Sequence, residues 1–354
     1  MSAQGGSSIV VVGAGVFGLT TAVRLAEAGL KVRVIAGAPP GETASGVAAG
    51  MLAPAFETAL DPPGGASLPL MLAARDLWPA LAERLGVALD RSGAAAAGPA
   101  GWLDDLEVRL ATLGLQPEAV GRADLEAWAP GMNPVFGRGL MTREDWRIEP
   151  RLALAALVSR LTELGGRIDH EVLSAEAALA IQAPLVLATG IDQRLSRLAP
   201  ELAALEPIKG QILHRNDRPG PARVIRTEGA YALASGGGLL AGATMEAGRA
   251  DRIPDRGAQA GLRSAIAGLF PSLPTAGWRT RVGVRAASPD GLPLAGCSGR
   301  EGLFLAVGAR RNGWLLAPLV ADIVTAAVTG KDGGPWASRL DPSRFARDDG
   351  EGRA

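Results

Sequence analysis

The chain has 354 residues, 47% of them apolar, and its 36 Lys and Arg balance 36 Asp and Glu to a formal charge of zero. That length accommodates about two domains with a sizeable core. Neutral charge without a long basic run excludes a nucleic-acid groove or an anionic membrane as the main partner. A single cysteine, Cys297, and two histidines, His170 and His214, exclude an internal disulfide and a Cys/His zinc centre, so no metal site is expected.

The histidines lack motif context and read as non-catalytic. Lysines stand only at 31, 209 and 331, which leaves little to draw on for an internal aldimine. The chemistry is expected to come from a bound group. Residues 1–8 are polar and uncharged, unlike a signal peptide. The apolar run 314–328 is interrupted by Pro318 and Asp322 and falls short of the ~20 residues of a membrane span, so the expected protein is cytoplasmic.

In chain order, residues 9–12 form a β-branched run of the kind that makes a strand buried on both faces, ending at Gly13-Ala14-Gly15-Val16-Phe17-Gly18. Helical spacing follows at Leu19, Val23, Leu25 and Ala26. Gly29 stops the helix, and residues 31–35 supply a second strand. In this context Gly13 permits the tight turn, Gly15 lets the backbone approach a diphosphate, and Gly18 allows close helix packing. The helix N-terminus offers unpaired N–H groups and the positive end of its dipole. A dinucleotide is expected there, although the acidic ribose contact usual about 20 residues on is replaced by Ala36-Gly37. Glu42 reads as a solvated side chain rather than a substitute.

Residues 43–54 are a run of small side chains, TASGVAAGMLAP, which lets a flat ring lie against backbone and equally suits tight helix packing. Taken with the opening fingerprint, this run resembles the flavin-binding segment of the D-amino-acid oxidase (DAO) family of FAD-dependent oxidoreductases. It is most similar to the glycine-oxidising members, whose pattern is a serine, several alanines and Gly-Met. Further segments agree in order. Residues 145–154 (DWRIEPRLAL) resemble the family's aspartate and Val-Asp-Pro opening a helix. Residues 283–294 (GVRAASPDGLPL) resemble its Gly-Leu-Arg-Pro and Thr-Pro-Asp-Gly stretch. Residues 308–318 (GARRNGWLLAP) resemble its Gly-His-x-Arg-Asn-Gly segment, with Ala309 and Arg310 in place of the usual His-aromatic pair. The likeness runs through residues 342–345.

The resemblance implies an α/β fold: a discontinuous Rossmann-like FAD-binding domain (1–60, 146–205, 282–345) with an inserted sheet-based α+β substrate domain (61–145, 206–281). Residues 346–354 are expected to form a disordered tail. It also implies non-covalent FAD, because related sarcosine oxidases attach flavin to a cysteine just before the Thr-Pro-Asp-like step, where this chain has Gly283. Cys297 lies after that step and reads as a small buried hydrophobe. The implied cofactor residues are Gly13, Gly15, Val16, Phe17, Gly18 and Ala36, then Ala44, Ser45, Ala49, Gly50 and Met51. Val172 is placed near adenine, with Thr189 and Gly190 after the strand-like 184–187. Gly308, Ala309, Arg310, Arg311, Asn312, Gly313, Trp314 and Leu315 complete the set. On physical grounds, residues 311–313 before an apolar helix supply another helix N-terminus for the flavin carbonyls.

Oxidising an α-amino acid asks mainly for orientation, and a guanidinium is the natural clamp for its carboxylate. Arg285 lies in an otherwise uncharged stretch, 282–288, and coincides with the family's carboxylate-binding arginine. Arg311 matches a second family arginine. Tyr231, the single tyrosine, falls where a family phenol reaches the carboxylate, in a hairpin with 239–245 whose Met245 lines the site. Lys209 reads as a solvated or cofactor-field charge, and Asp290 as turn chemistry. The implied substrate is a small amino acid, glycine first, with oxygen as acceptor and a role in supplying thiamine thiazole synthesis. Another D-amino or N-methyl amino acid is the alternative, and a non-catalytic dinucleotide binder is the reading from a different class. A homo-oligomer remains open.

Overall fold

The computed structural model describes residues 7–61 and 67–345; the tail expected over 346–354 lies outside them. The β-branched run becomes the strand Ser8–Val12, central in a six-stranded sheet ordered 294–297, 303–307, 185–187, 8–12, 31–35, 167–169. Four of its five pairings are parallel, and only the edge hairpin of Leu294–Cys297 with Leu303–Val307 is antiparallel. The helix Val16–Glu27 makes the crossover between the first two strands, as a parallel pair requires.

The apolar helix Gly313–Thr329 packs on the same sheet. Pro318 inside it has no N–H to offer the Trp314 carbonyl one turn back. That carbonyl accepts instead from the Trp78 indole at 3.0 Å, a buried donor brought in by the helix Trp78–Leu85. No described helix is long and apolar enough to cross a membrane.

A nine-stranded sheet takes its strands from 94–142, 206–247 and 279–287. Tyr231 sits on the strand Ala230–Ser235, which turns through Gly236 and Gly237, both at positive φ, into Gly238–Gly242. Two such residues suit a two-residue hairpin turn.

Several expectations need correction. The boundary at 282 falls inside the strand Arg279–Ala287, which pairs with 206–214 along its whole length and so belongs to the nine-stranded sheet. The helices Leu68–Asp76 and Trp78–Leu85, expected with the substrate-side sheet, bury Leu70, Met71, Ala74, Trp78 and Leu81 in the core of the six-stranded layer. Their apolar stripes match that surface. Cys297, read as buried, is exposed because it ends an edge strand. Lys209, read as a solvated or cofactor-field charge, is not solvated: it is fully buried on strand Glu206–Arg215 and ion-paired to Asp251 at 2.8 Å.

Candidate active site

Two cavities of about 420 and 470 Å³ meet along Ala44, Ala48, Arg285, Arg311 and Trp314. The first is a cleft at the strand ends of the six-stranded sheet, where open α/β sheets bind ligands. Of the expected cofactor residues, Gly13, Gly15, Val16, Phe17, Ala36, Ala44, Ser45, Val172, Thr189, Gly190, Gly308, Ala309, Arg310, Arg311, Gly313 and Trp314 line it. Ala49, Gly50, Met51 and Asn312 line the second cavity instead. Gly18 and Leu315 line neither. A Cβ at Gly18 would lie 2.0 Å from the Gly13 carbonyl oxygen, so this glycine serves helix packing, and Leu315 turns into the core one position beyond Trp314.

The cleft fits a dinucleotide. Gly13 has φ +114°, and a Cβ there would sit 2.3 Å from the Ala188 carbonyl oxygen, so the turn tolerates only glycine. The Val16 N–H at the helix start donates to Ser45 Oγ at 3.0 Å, and the Trp314 indole donates to the Ser45 carbonyl at 3.1 Å. Ser45 is thereby fixed between two helix N-termini, both of which favour anionic groups. The exposed Glu42 does not line the cleft. Arg252, from the opposite sheet's loop, does, and it donates to the Glu42 carbonyl at 3.3 Å. Its neighbour Asp251 anchors that loop, accepting from Lys209 Nζ and Arg249 Nε at 2.8 Å each and from the Ile253 N–H at 3.0 Å. Arg252→Ala is expected to raise the FAD dissociation constant about tenfold, the worth of one charge-assisted hydrogen bond. Titrating apoprotein with FAD and following flavin fluorescence checks this; an unchanged constant removes Arg252 from the cofactor site.

The second cavity is a chamber whose lining includes Tyr231, Met245, Arg285 and Arg311. Arg285 Nη1 donates to the Thr244 carbonyl and contacts Met245 Sδ, each at 3.2 Å, and no carboxylate among the described residues lies within ion-pair distance. Burial, helped by the nearby Arg311 cation, lowers its pKa from the ordinary arginine value. A half-buried cation lacking a counter-ion in a cavity calls for an anionic ligand. The Tyr231 phenol is pushed up to about 12 by burial and so stays a protonated donor at neutral pH.

Both side chains lie over glycines on neighbouring strands. A Cβ at Gly210 would come within 2.4–2.5 Å of the Arg285 guanidinium, and one at Gly242 within 2.2 Å of the Tyr231 hydroxyl. Gly210→Ala therefore displaces the flexible end of Arg285 without breaking backbone. The expected result is a folded, FAD-containing protein whose KM for the amino acid rises by about tenfold or more. Unaltered kinetics would show that the guanidinium's present position is immaterial.

Beneath the chamber lies a buried charge network that sequence reading missed. Glu57, 7% exposed, pairs with Arg226 Nη2 at 2.6 Å and Arg311 Nε at 2.7 Å. Asp61 contacts Arg311 at 3.3 Å and also pairs with Arg310, the residue that replaces the family's aromatic. Burial alone pushes the Glu57 carboxyl up, but Arg226 and Arg311 outweigh it and hold the pKa below the ordinary value. Asp145, whose oxygens accept from the Ala55 and Phe56 N–H groups at 2.8 and 3.2 Å, is raised by burial to about 7. A signal existed: Glu57 is the single charge in the apolar run 51–60. Of the residues read as bystanders, Asp290 closes its turn onto Ser288 and the Leu292 N–H and pairs with Arg344.

A glycine-lined cleft at the strand ends, opening onto a chamber rich in guanidinium groups, is the layout of a nucleotide-binding enzyme with an anionic small molecule held beside the nucleotide. Sequence comparison makes this specific: the DAO family model, FAD dependent oxidoreductase, matches residues 8–327, and the chain belongs to that family. FAD is its cofactor. The chain is 33% identical to the glycine oxidase of Pseudomonas aeruginosa, over 96% of this chain and 98% of the relative. It is 31% identical to the tRNA 5-methylaminomethyl-2-thiouridine biosynthesis bifunctional protein MnmC of Maricaulis maris, covering 96% of this chain but 55% of that one. The crystal structure of glycine oxidase from Geobacillus kaustophilus superposes with a TM-score of 0.80 at 26% identity, covering 95% of this chain and 98% of the other.

Proposed function

We propose that the protein is an FAD-dependent oxidase of a small amino acid, with glycine the first substrate: glycine, water and oxygen give glyoxylate, ammonia and hydrogen peroxide. The observation that carries this reading is Arg285, a half-buried cation facing the chamber with no carboxylate partner among the described residues. Its planar fork binds a carboxylate through two parallel hydrogen bonds. The Tyr231 phenol, protonated across the physiological range, adds a third donor to the same group. Arg311, steered by Glu57 and Asp61, stands where the two cavities join and sets positive charge beside the reacting end.

FAD, when bound, supplies the two-electron acceptor for the Cα hydride. The protein's own contribution is to fix the carboxylate so that Cα faces the small-residue segment 44–51. Orientation of this kind removes much of the entropic cost of such transfers. The segment's Ala44, Ala48 and Ala49 present no side-chain bulk between the two cavities. Likeness to the glycine oxidases favours glycine and a part in thiazole supply. Anaerobic mixing of the holoprotein with glycine, sarcosine and D-alanine tests the reading. Bleaching of the flavin absorbance by glycine is expected, and strong bleaching only by a larger amino acid would overturn the choice of substrate.

A further inference from the structure

We propose that the chamber holds a second anion subsite, in which Arg109 and Arg226 hold a carboxylate carried on the substrate's substituent. The range of substrates then extends from glycine to amino acids with a second acidic group. This rests on the reading that Arg285 takes the α-carboxylate.

Charge is the first argument. Four guanidinium groups, Arg109, Arg226, Arg285 and Arg311, line the chamber, against Glu57 in the lining and Asp61 behind Arg311, which leaves a positive surplus. A zwitterionic amino acid brings no net charge, so it leaves this surplus where it was. A second carboxylate reduces it.

Placement is the second argument. Trp102 and Arg109 stand seven residues apart on the helix Ala100–Thr112, hence on one face, and both line the chamber. This helix is held against the strand Val224–Thr227, because a Cβ at Gly98 would lie 3.0 Å from the Trp102 ring and 3.3 Å from Thr227 Oγ1. Arg226 therefore faces the chamber from the strand and Arg109 from the helix.

Unused donors are the third argument. Arg109 has no ion-pair partner among the described residues. Arg226 is 6% exposed and commits Nη2 to Glu57, yet its buried Nε has no hydrogen-bond partner. That nitrogen lies below the chamber surface, so a ligand there meets Arg226 as a cation, and the free donors are those of the exposed Arg109.

Unreactive acids of equal carbon number separate this subsite from turnover. Holoprotein is titrated with succinate and with butyrate, and the perturbation of the flavin visible spectrum is read as a dissociation constant. Succinate is expected to bind at least about tenfold more tightly than butyrate, the effect of one further charge-assisted contact. In Arg109→Ala, a substitution on an exposed helix face, the two constants are expected to converge to within about twofold. Equal affinities in the unsubstituted protein, or a preference that survives Arg109→Ala, would overturn the proposal. Because neither acid carries an amine, failure of glycine to bleach the flavin would count against the oxidase reading alone, and equal binding of the two acids against the subsite alone.

Discussion

Arg285→Met is expected to raise the KM for the amino acid at least a hundredfold while FAD stays bound and the unfolding temperature rises. The first effect follows from removing both hydrogen bonds of a charge-assisted pair, about 3 kcal/mol. The second has the opposite sign because the unliganded protein keeps a half-buried cation that, among the described residues, has no counter-ion and pairs with the Thr244 carbonyl and the Met245 sulfur. Methionine fills similar volume, loses one hydrogen bond to a neutral carbonyl and removes the desolvation cost, a net gain of about 1–2 kcal/mol. Binding sites commonly trade stability for function in this way. Steady-state kinetics together with thermal unfolding of the holoprotein checks both halves. A marked loss of stability with a normal KM would mean that Arg285 is a structural residue and the substrate is clamped elsewhere.

Glu57→Gln is the second large effect, and here stability falls. Arg226 and Arg311 both reach into Glu57, and Arg226 is buried. Removing the anion leaves buried positive charge uncompensated, at a cost of about 3–5 kcal/mol. The pH dependence has a definite sign. The folded pKa of Glu57 lies below its ordinary value. Its contribution is therefore fully present above the unfolded pKa of about 4.3 and is lost as pH falls through the folded value. The Gln variant should accordingly lose part of the acid limb of the stability curve. Asp145 acts oppositely: with its folded pKa raised to about 7, stability from this group falls as pH rises from about 4 towards 7 and then levels. Urea unfolding of both proteins between about pH 2 and 8 reads these slopes. In Glu57→Gln/Arg226→Met much of the loss should return, because anion and cation leave together. A single variant as stable as the parent would show that the network carries no net charge coupling.

The sequence by itself determined the opening strand, turn and helix, because Gly13-x-Gly15-x-x-Gly18 between two β-branched runs is local chemistry that few other conformations accept. It also singled out Arg285, whose charge has no sequence neighbour to neutralise it, and the strand on which Tyr231 sits. Only the tertiary structure decided which charges meet. Glu57 and Arg226 are 169 residues apart in the chain and 2.6 Å apart in space, and Arg311 arrives from 254 residues beyond Glu57. No periodicity encodes such pairs. Domain membership was hidden for the same reason: an apolar stripe on Leu68–Asp76 announces that it will be buried, but the partner, the Gly313–Thr329 helix, is chosen by long-range packing. The strand Arg279–Ala287 likewise joins its sheet through hydrogen bonds to residues 206–214, which local composition does not reveal. Propensity and motif fix what each segment is, and burial of charge and surface between distant segments fixes where it goes.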